Sequence, residues 1–280
     1  MQHLIYTAIL FTWTDYKTIL IPVTAFACAT GPIHSVSKLL QSIAWIWIHL
    51  LLCNVSNQAG SEAEDKINHP WRPLPSGMIT KSQARQLRMG TVITCLLWSW
   101  FYGLDLVAIT AALIATTWMY DEAGLSNTAL GKNFCNIGGY VSLELGATKL
   151  MGKTLQLDTV SITAALLSGA LIFTTIQAQD FPDVEGDAAS GRITFPIYAP
   201  EFSRVFTLFA TVMWSIGLGW YWASGTVVWE AFTILGLYVG FRYYKWRTPD
   251  RDRRSYLIFN VWLVCAHLLP LHARLNVPPA

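Results

Sequence analysis

The chain has 280 residues, of which 53% are hydrophobic and only 13% charged, with a formal net charge of +2. A soluble domain usually carries about 25% charged residues, and the apolar residues here fall in blocks near the length of a hydrocarbon core. An ordinary soluble fold is excluded on this basis, and the chain reads as an all-α polytopic membrane protein. A charge of +2 selects no partner by itself, and neither nucleic acid nor a protein partner is expected.

Residues 1–15 are apolar but short and are predicted to form a lead-in or interfacial helix. Nine spans follow, at 18–31, 39–54, 88–102, 105–119, 134–150, 161–178, 204–223, 228–244 and 255–271. Little more than Gly103 and Leu104 joins the third to the fourth, which predicts an antiparallel pair. No low-complexity stretch or linker interrupts the chain, so residues 1–280 form one domain. The N-terminus lacks the basic region and cleavage site of a secretory signal. The five cysteines are scattered, none in a CxxC pair, and are expected to be small buried hydrophobes.

The cationic residues check the span count. With nine spans, the N-terminal lead-in and the even-to-odd connections share one side. That side holds Lys17, Lys66, Arg72, Lys81, Arg85, Arg88, Lys132, Arg192, Arg204 and the run from Arg242 to Arg254. The opposite side holds only Lys38, Lys149, Lys153 and Arg274. This bias predicts a cytoplasmic N-terminus, with the endoplasmic reticulum as the membrane in a eukaryotic cell.

Two polar, acidic stretches follow directly on apolar runs, at 54–77 and 180–187, both on the cation-rich side. Continued as helix, Asn54, Asn57, Ser61, Glu64 or Asp65, and Asn68 fall on one face, with Gln58, Glu62 and Asp65 in an adjoining row. In the second stretch Asp180, Asp183 and Asp187 share a face, and Pro182 is expected to kink the chain there. Carboxylates are costly at the mouth of a membrane span and mark work to be done. Two facing carboxylate rows repel unless cations bridge them. Hard oxygen ligands that leave room for water and phosphate suit Mg²⁺. Lys66, Arg72, Lys132 and Arg192 are placed to meet phosphate oxygens. The chemistry implied is the binding of a diphosphate through Mg²⁺, with an apolar cavity holding its hydrocarbon tail.

At these residues the chain resembles the UbiA superfamily of intramembrane prenyltransferases, which has nine transmembrane helices and two Asp-rich motifs. The family's first motif, N-D-x-x-D-x-x-x-D followed by R-P-[LI]-x-x-G, is met by Asn57-Gln58-Ala59-Gly60-Ser61-Glu62-Ala63-Glu64-Asp65 and by Arg72-Pro73-Leu74-Pro75-Ser76-Gly77. Its second, D-x-x-D-x-x-x-D, is met in full by Asp180, Asp183 and Asp187. Gly186, Gly191, Arg192 and Pro196 resemble the segment that follows. Gln58 and Ser61 stand where two aspartates are usual. That departure is similar to the fungal UbiA-type terpene cyclases, as are the stretches 15–22, Gly139-Tyr140 and 144–148.

The resemblance implies a class I cyclisation of a linear prenyl diphosphate, geranylgeranyl or farnesyl, in the bilayer. Asn57, Asp65, Asp180, Asp183 and Asp187 are the expected metal-holding and catalytic residues. Lys17, Gln58, Ser61, Glu64, Lys66, Arg72, Lys132, Arg192, Tyr140 and Glu144 are the expected substrate contacts, with Glu144 a candidate proton acceptor and Tyr140 and Trp118 candidate cation-stabilising faces. Asn133 and Asn136 are expected to cap the fifth span or else to line the site, His49 and His267 to be buried and hydrogen-bonded, and Asp121 and Glu122 to be loop charges. Two alternatives stand beside this reading: a prenyltransferase with an aromatic acceptor, and a non-catalytic transporter or scaffold.

Overall fold

The computed structural model describes residues 2–276, which are helical throughout apart from turns and one isolated bridge between Thr128 and Ile193. Helix α1 (Gln2–Thr12) leads through a 3-10 turn and a widened π turn (Tyr16–Leu20) into α2 (Ile21–Thr30), which has Pro22 in its first turn. Then come α3 (Val36–Gly60), α4 (Glu62–Asn68), α5 (Lys81–Trp100) and α6 (Leu104–Asp121). The second half holds α7 (Ala129–Met151), α8 (Thr159–Thr175), the short α9 (Val184–Ala189) and α10 (Phe195–Tyr198), α11 (Pro200–Tyr221), α12 (Thr226–Lys245), α13 (Pro249–Leu268) and α14 (Pro270–Asn276).

Every expected span overlaps a helix, but several helices run further than the apolar pattern. Helix α5 starts seven residues before the predicted 88, because Thr80 and Gln83 close a capping box. Helix α13 starts at Pro249, with Thr248 accepting from Arg251 N, against the predicted 255. Polar first turns carry these helices beyond their apolar middles. At α7 the cap is Thr128, which accepts from Gly131 N, and not Asn133 or Asn136. The turn between α5 and α6 closes on Gly103 at φ +109, and α5 and α6 pack as the expected pair.

The interior is built on Trp45, Phe26, Ile172, Tyr243, Phe259 and Trp262, all essentially fully buried. Helix α3 meets α7 at Gly146, where a side chain would strike the Trp45 ring. Outward faces are apolar as well: Leu97, Leu104, Leu166, Phe209, Trp220 and Ile234 are all more than half exposed. A surface of this kind is stable against lipid and not against water. Among the described residues, five helices are long and apolar enough to cross a membrane: Val36–Gly60, Leu104–Asp121, Thr159–Ala189, Pro200–Tyr221 and Pro249–Leu275. The protein is an integral membrane protein with an all-helical fold.

Candidate active site

The chain between α3 and α5 and the chain between α8 and α11 meet at one end of the bundle. Helix α3 breaks at Ser61, and α4 then packs on α9. The approach is close: a Cβ on Gly186 would lie 2.2 Å from Asn68 Nδ2, so any larger residue there would displace the Asn68 side chain. Asn68 also donates to the Asp183 carbonyl at 3.4 Å. Across the same end, Ile193 N donates to the Asn127 carbonyl, joining the connection after α6 to the one after α8.

A cavity of about 640 Å³ opens between these segments. Its mouth holds Asp180, Asp183, Asp187, Glu64, Asn57 and Asp121 together with Lys132, Arg192, Arg72 and Lys17. Its deeper wall holds Ile19, Leu50, Cys53, Leu113, Tyr140 and Leu143. A charged mouth over an apolar floor is the shape a diphosphate with a hydrocarbon tail requires.

Lys132 Nζ lies 2.8 Å from Asp180 Oδ1 and 3.5 Å from Asp187 Oδ2, with all three side chains buried. Arg192 Nη1 lies 2.6 Å from Glu64 Oε2 and 3.6 Å from Asp187 Oδ1. Burial pushes the Glu64 carboxyl above its ordinary range, and Arg192 opposes that rise. Asp183 sits 4.0 Å from His69 Nε2. Burial, aided by the positive charges of Arg72, Arg253 and Lys17, pushes the His69 imidazole down to about 3, so Asp183 faces a neutral ring. Asn57 Nδ2 donates to Asp121 Oδ1 at 3.1 Å, while Asp121 Oδ2 is buried without a hydrogen-bond partner. Lys17 Nζ lies over the Tyr256 ring, 5.6 Å from its centroid.

Several expected site residues lie elsewhere. Asp65 is fully buried off the cavity and accepts from Arg72 Nη1 at 2.6 Å. Burial pushes its carboxyl up against the pull of Arg72. Gln58 turns the other way and donates to the Phe11 carbonyl, and the Ser61 hydroxyl is spent on the Asn57 carbonyl. The break at Ser61 rotates α4 relative to α3 and brings Glu64, not Asp65, onto the cavity wall, whereas Gln58 lies before the break, on the side of α3 that faces α1. Lys66 points outward to Glu62, which also meets Lys81. Glu144 lies in a buried cluster, 2.6 Å from Ser168 Oγ and 3.3 Å from His267 Nε2, while His267 Nδ1 bonds the Pro22 carbonyl at 3.0 Å. His49 is likewise buried and bonded, to the Trp45 carbonyl and to Thr110. Trp118 is more than half exposed on the outer face of α6.

Other wall residues escape a reading of the two motifs. Asp121 is the last residue of α6 and not a loop charge, and Asp15, Asn54, Tyr120 and Tyr256 line the cavity too. Asp121 carried a usable signal, since it stands two residues past an apolar span on the cation-rich side.

The UbiA prenyltransferase family profile matches residues 19–264. The fumagillin beta-trans-bergamotene synthase af520 of Aspergillus fumigatus is 29% identical over 271 residues, covering 96% of this chain and 93% of that protein. The diterpene cyclase eriG of Hericium erinaceus is 28% identical over 265 residues, 91% of this chain and 84% of that one. In fold, the chain matches a UbiA homologue from Archaeoglobus fulgidus bound to GPP and Mg²⁺, with a TM-score of 0.65 at 11% identity, over 95% of this chain and 99% of that one. The sequence match spans nearly the whole chain and the fold agrees with it: this protein belongs to the UbiA prenyltransferase family.

Proposed function

We propose that the protein is a Mg²⁺-dependent class I terpene cyclase acting on a linear prenyl diphosphate, geranylgeranyl or farnesyl. The observation that carries this reading is the single cavity that joins the carboxylate and cation mouth to an apolar, tyrosine-edged floor. The two fungal relatives, named for a bergamotene synthase and a diterpene cyclase, favour cyclisation over transfer to an acceptor.

The residues at the mouth suit Mg²⁺ in their donor chemistry. They offer hard carboxylate oxygens, one of which, Asp121 Oδ2, is buried without a partner. Asp180, Asp183 and Asp187 would hold the ion on one side, with Asn57, Glu64 and Asp121 across the mouth. Mg²⁺ held there neutralises charge on the diphosphate and makes it a better leaving group.

The protein's own part is positioning and charge. Lys132, Arg192 and Arg72 stand at the mouth as fixed cations and stabilise the negative charge that grows as the C1–O bond breaks. The electron pair leaves with the diphosphate, and the allylic cation stays with the hydrocarbon. Ile19, Leu50, Leu113 and Leu143 keep water from the floor, which prevents quenching to an alcohol. The rings of Tyr140 and Tyr256 border this space and favour positive charge near their faces. Helices α2, α5, α7 and α12 cross the bilayer beside the five long apolar ones, giving nine spans with the N-terminus and the cavity mouth cytoplasmic, as the cation bias expects.

The test is to incubate the purified protein in detergent or nanodiscs with Mg²⁺ and either geranylgeranyl or farnesyl diphosphate, and to analyse the extract. A cyclic hydrocarbon or alcohol formed from the diphosphate alone supports the reading. Turnover that requires an added aromatic acceptor, and yields its prenylated form, overturns it in favour of a transferase.

A further inference from the structure

Asp15 belongs to neither acidic stretch, yet it lines the same cavity. It ends the 3-10 turn Trp13–Asp15, just before the widened turn Tyr16–Leu20. Its carboxylate is held by neutral donors: Asn54 Nδ2 at 2.7 Å and Thr14 Oγ1 at 3.3 Å on Oδ2, and Thr18 Oγ1 at 2.8 Å on Oδ1. Asp180, Asp187 and Glu64 each face Lys132 or Arg192. Among the described residues no ion pair reaches Asp15 directly: the Arg72 guanidinium stops at Thr14 Oγ1, 3.5 Å from its Nη2, so the carboxylate is oriented by neutral donors with a cation one hydroxyl away.

Its depth follows from its partners. On α3, Asn57, Asn54 and Leu50 all line the cavity, at helical steps of three and four. Asn57 stands at the mouth, Asn54 lies about 4.5 Å deeper at 1.5 Å per residue, and Leu50 lies a further turn in. Thr18, the donor to Oδ1, also accepts the Tyr140 hydroxyl on its carbonyl at 2.6 Å. Tyr140 lies about 12 Å beyond Lys132 along α7. Asp15 therefore stands where the polar mouth passes into the apolar floor.

Resting on the cyclase reading, we propose that Asp15 is the base that ends the reaction. The last carbocation loses a proton from the carbon next to its charged centre. The C–H electron pair becomes the new C=C bond, and the proton moves to an Asp15 oxygen. It passes to solvent when the product and diphosphate leave, which restores the carboxylate. Until that transfer, the Asp15 carboxylate, which no cation contacts directly, favours the carbocation at this level of the cavity.

The experiment compares wild type with Asp15→Asn and Asp15→Glu on geranylgeranyl and farnesyl diphosphate, reading diphosphate release and product composition separately, with a melting curve for each variant. The asparagine should keep diphosphate release within about tenfold of wild type. Its main hydrocarbon should fall to a minor share, replaced by alcohols or other alkenes, and glutamate should restore much of the original product. An unchanged product ratio overturns the proposal. So does loss of diphosphate release in a folded Asp15→Asn protein, which would assign Asp15 to the diphosphate clamp. If the asparagine variant does not fold, Thr18→Val loosens the same carboxylate: a shifted product ratio supports the assignment, and an unshifted one overturns it. Failure of the cyclase reading looks different, because wild type itself then yields no acceptor-free terpene.

Discussion

Arg192 Nη1 lies 2.6 Å from Glu64 Oε2, and this pair fastens the chain after α8 to the short helix that follows α3. Both side chains are largely buried, and Arg192 also reaches towards Asp187. The link brings the two acidic stretches into one mouth and leaves a guanidinium where a diphosphate would bind. Arg192→Ala should lower kcat/KM by roughly 10²–10³-fold, the loss seen when one fixed charge-stabilising donor is removed. Arg192→Lys should recover only part of it, because an ammonium lacks the planar set of donors that a guanidinium offers to phosphate oxygens. A steady-state diphosphate-release assay checks both.

Asp183 is the least committed of the second stretch, with its side chain 29% exposed and a neutral His69 at 4.0 Å as its neighbour. Its removal should therefore spare the fold. Asp183→Ala is expected to melt within a degree or two of wild type while turnover falls by at least about 10²-fold. Mg²⁺ should raise the melting temperature of wild type much more than that of the variant. Chelation of Mg²⁺ should abolish wild-type turnover, and readdition should restore it. Retained turnover in Asp183→Ala would remove Asp183 from the metal-holding set.

Glu144 makes the opposite prediction. It is sealed among α2, α7, α8 and α13 through Ser168, His267 and the Pro22 carbonyl. Truncation leaves buried polar partners unsatisfied, which typically costs about 1–3 kcal/mol. Glu144→Ala should melt well below wild type, yet whatever protein survives should give the same product mixture. A stable Glu144→Gln protein with altered products would instead make Glu144 part of the cavity chemistry.

At the far end of the bundle, Asp158 caps α8 and meets Arg274 of α14, with Nη2 to Oδ1 at 2.7 Å. Burial raises the Asp158 carboxyl, but the bonds from Arg274 and from the Ser161 amide and hydroxyl outweigh it and hold it at about 2. A carboxyl held below its unfolded value adds stability above the unfolded pKa, and that stability is lost as pH falls through the folded one. The loss should run from about pH 4 to about pH 2. Half of the Asp158 side chain is exposed, so the effect is modest. Melting curves across this window should show a steeper fall for wild type than for Arg274→Ala.

Local pattern determined much of this protein. Apolar blocks marked the helices because a bilayer forces every backbone polar group into internal hydrogen bonds. The three-residue and four-residue steps of Asp180, Asp183 and Asp187 marked one wall of the cavity, and all three side chains do line it. The cationic bias picked out the end of the bundle where that cavity lies.

Only the tertiary structure decided which members of the first stretch face inward. A single break at Ser61 exchanges Glu64 for Asp65, and no periodicity forecasts how far a helix rotates across such a break; Gln58, before the break, is taken up by the packing of α3 on α1. Asp121 and Asp15 join the wall from segments far away in sequence, Asp121 beside Asn57 and Asp15 beside Asn54. Pattern alone leaves Glu144, a charge inside a span, free to face the cavity or to take a structural hydrogen bond, and its side chain turns to Ser168 and His267, partners 24 and about 120 residues away. Side-chain spacing along one helix is a local property. Which neighbour a given face meets is set by how the whole bundle packs, and that choice made the site.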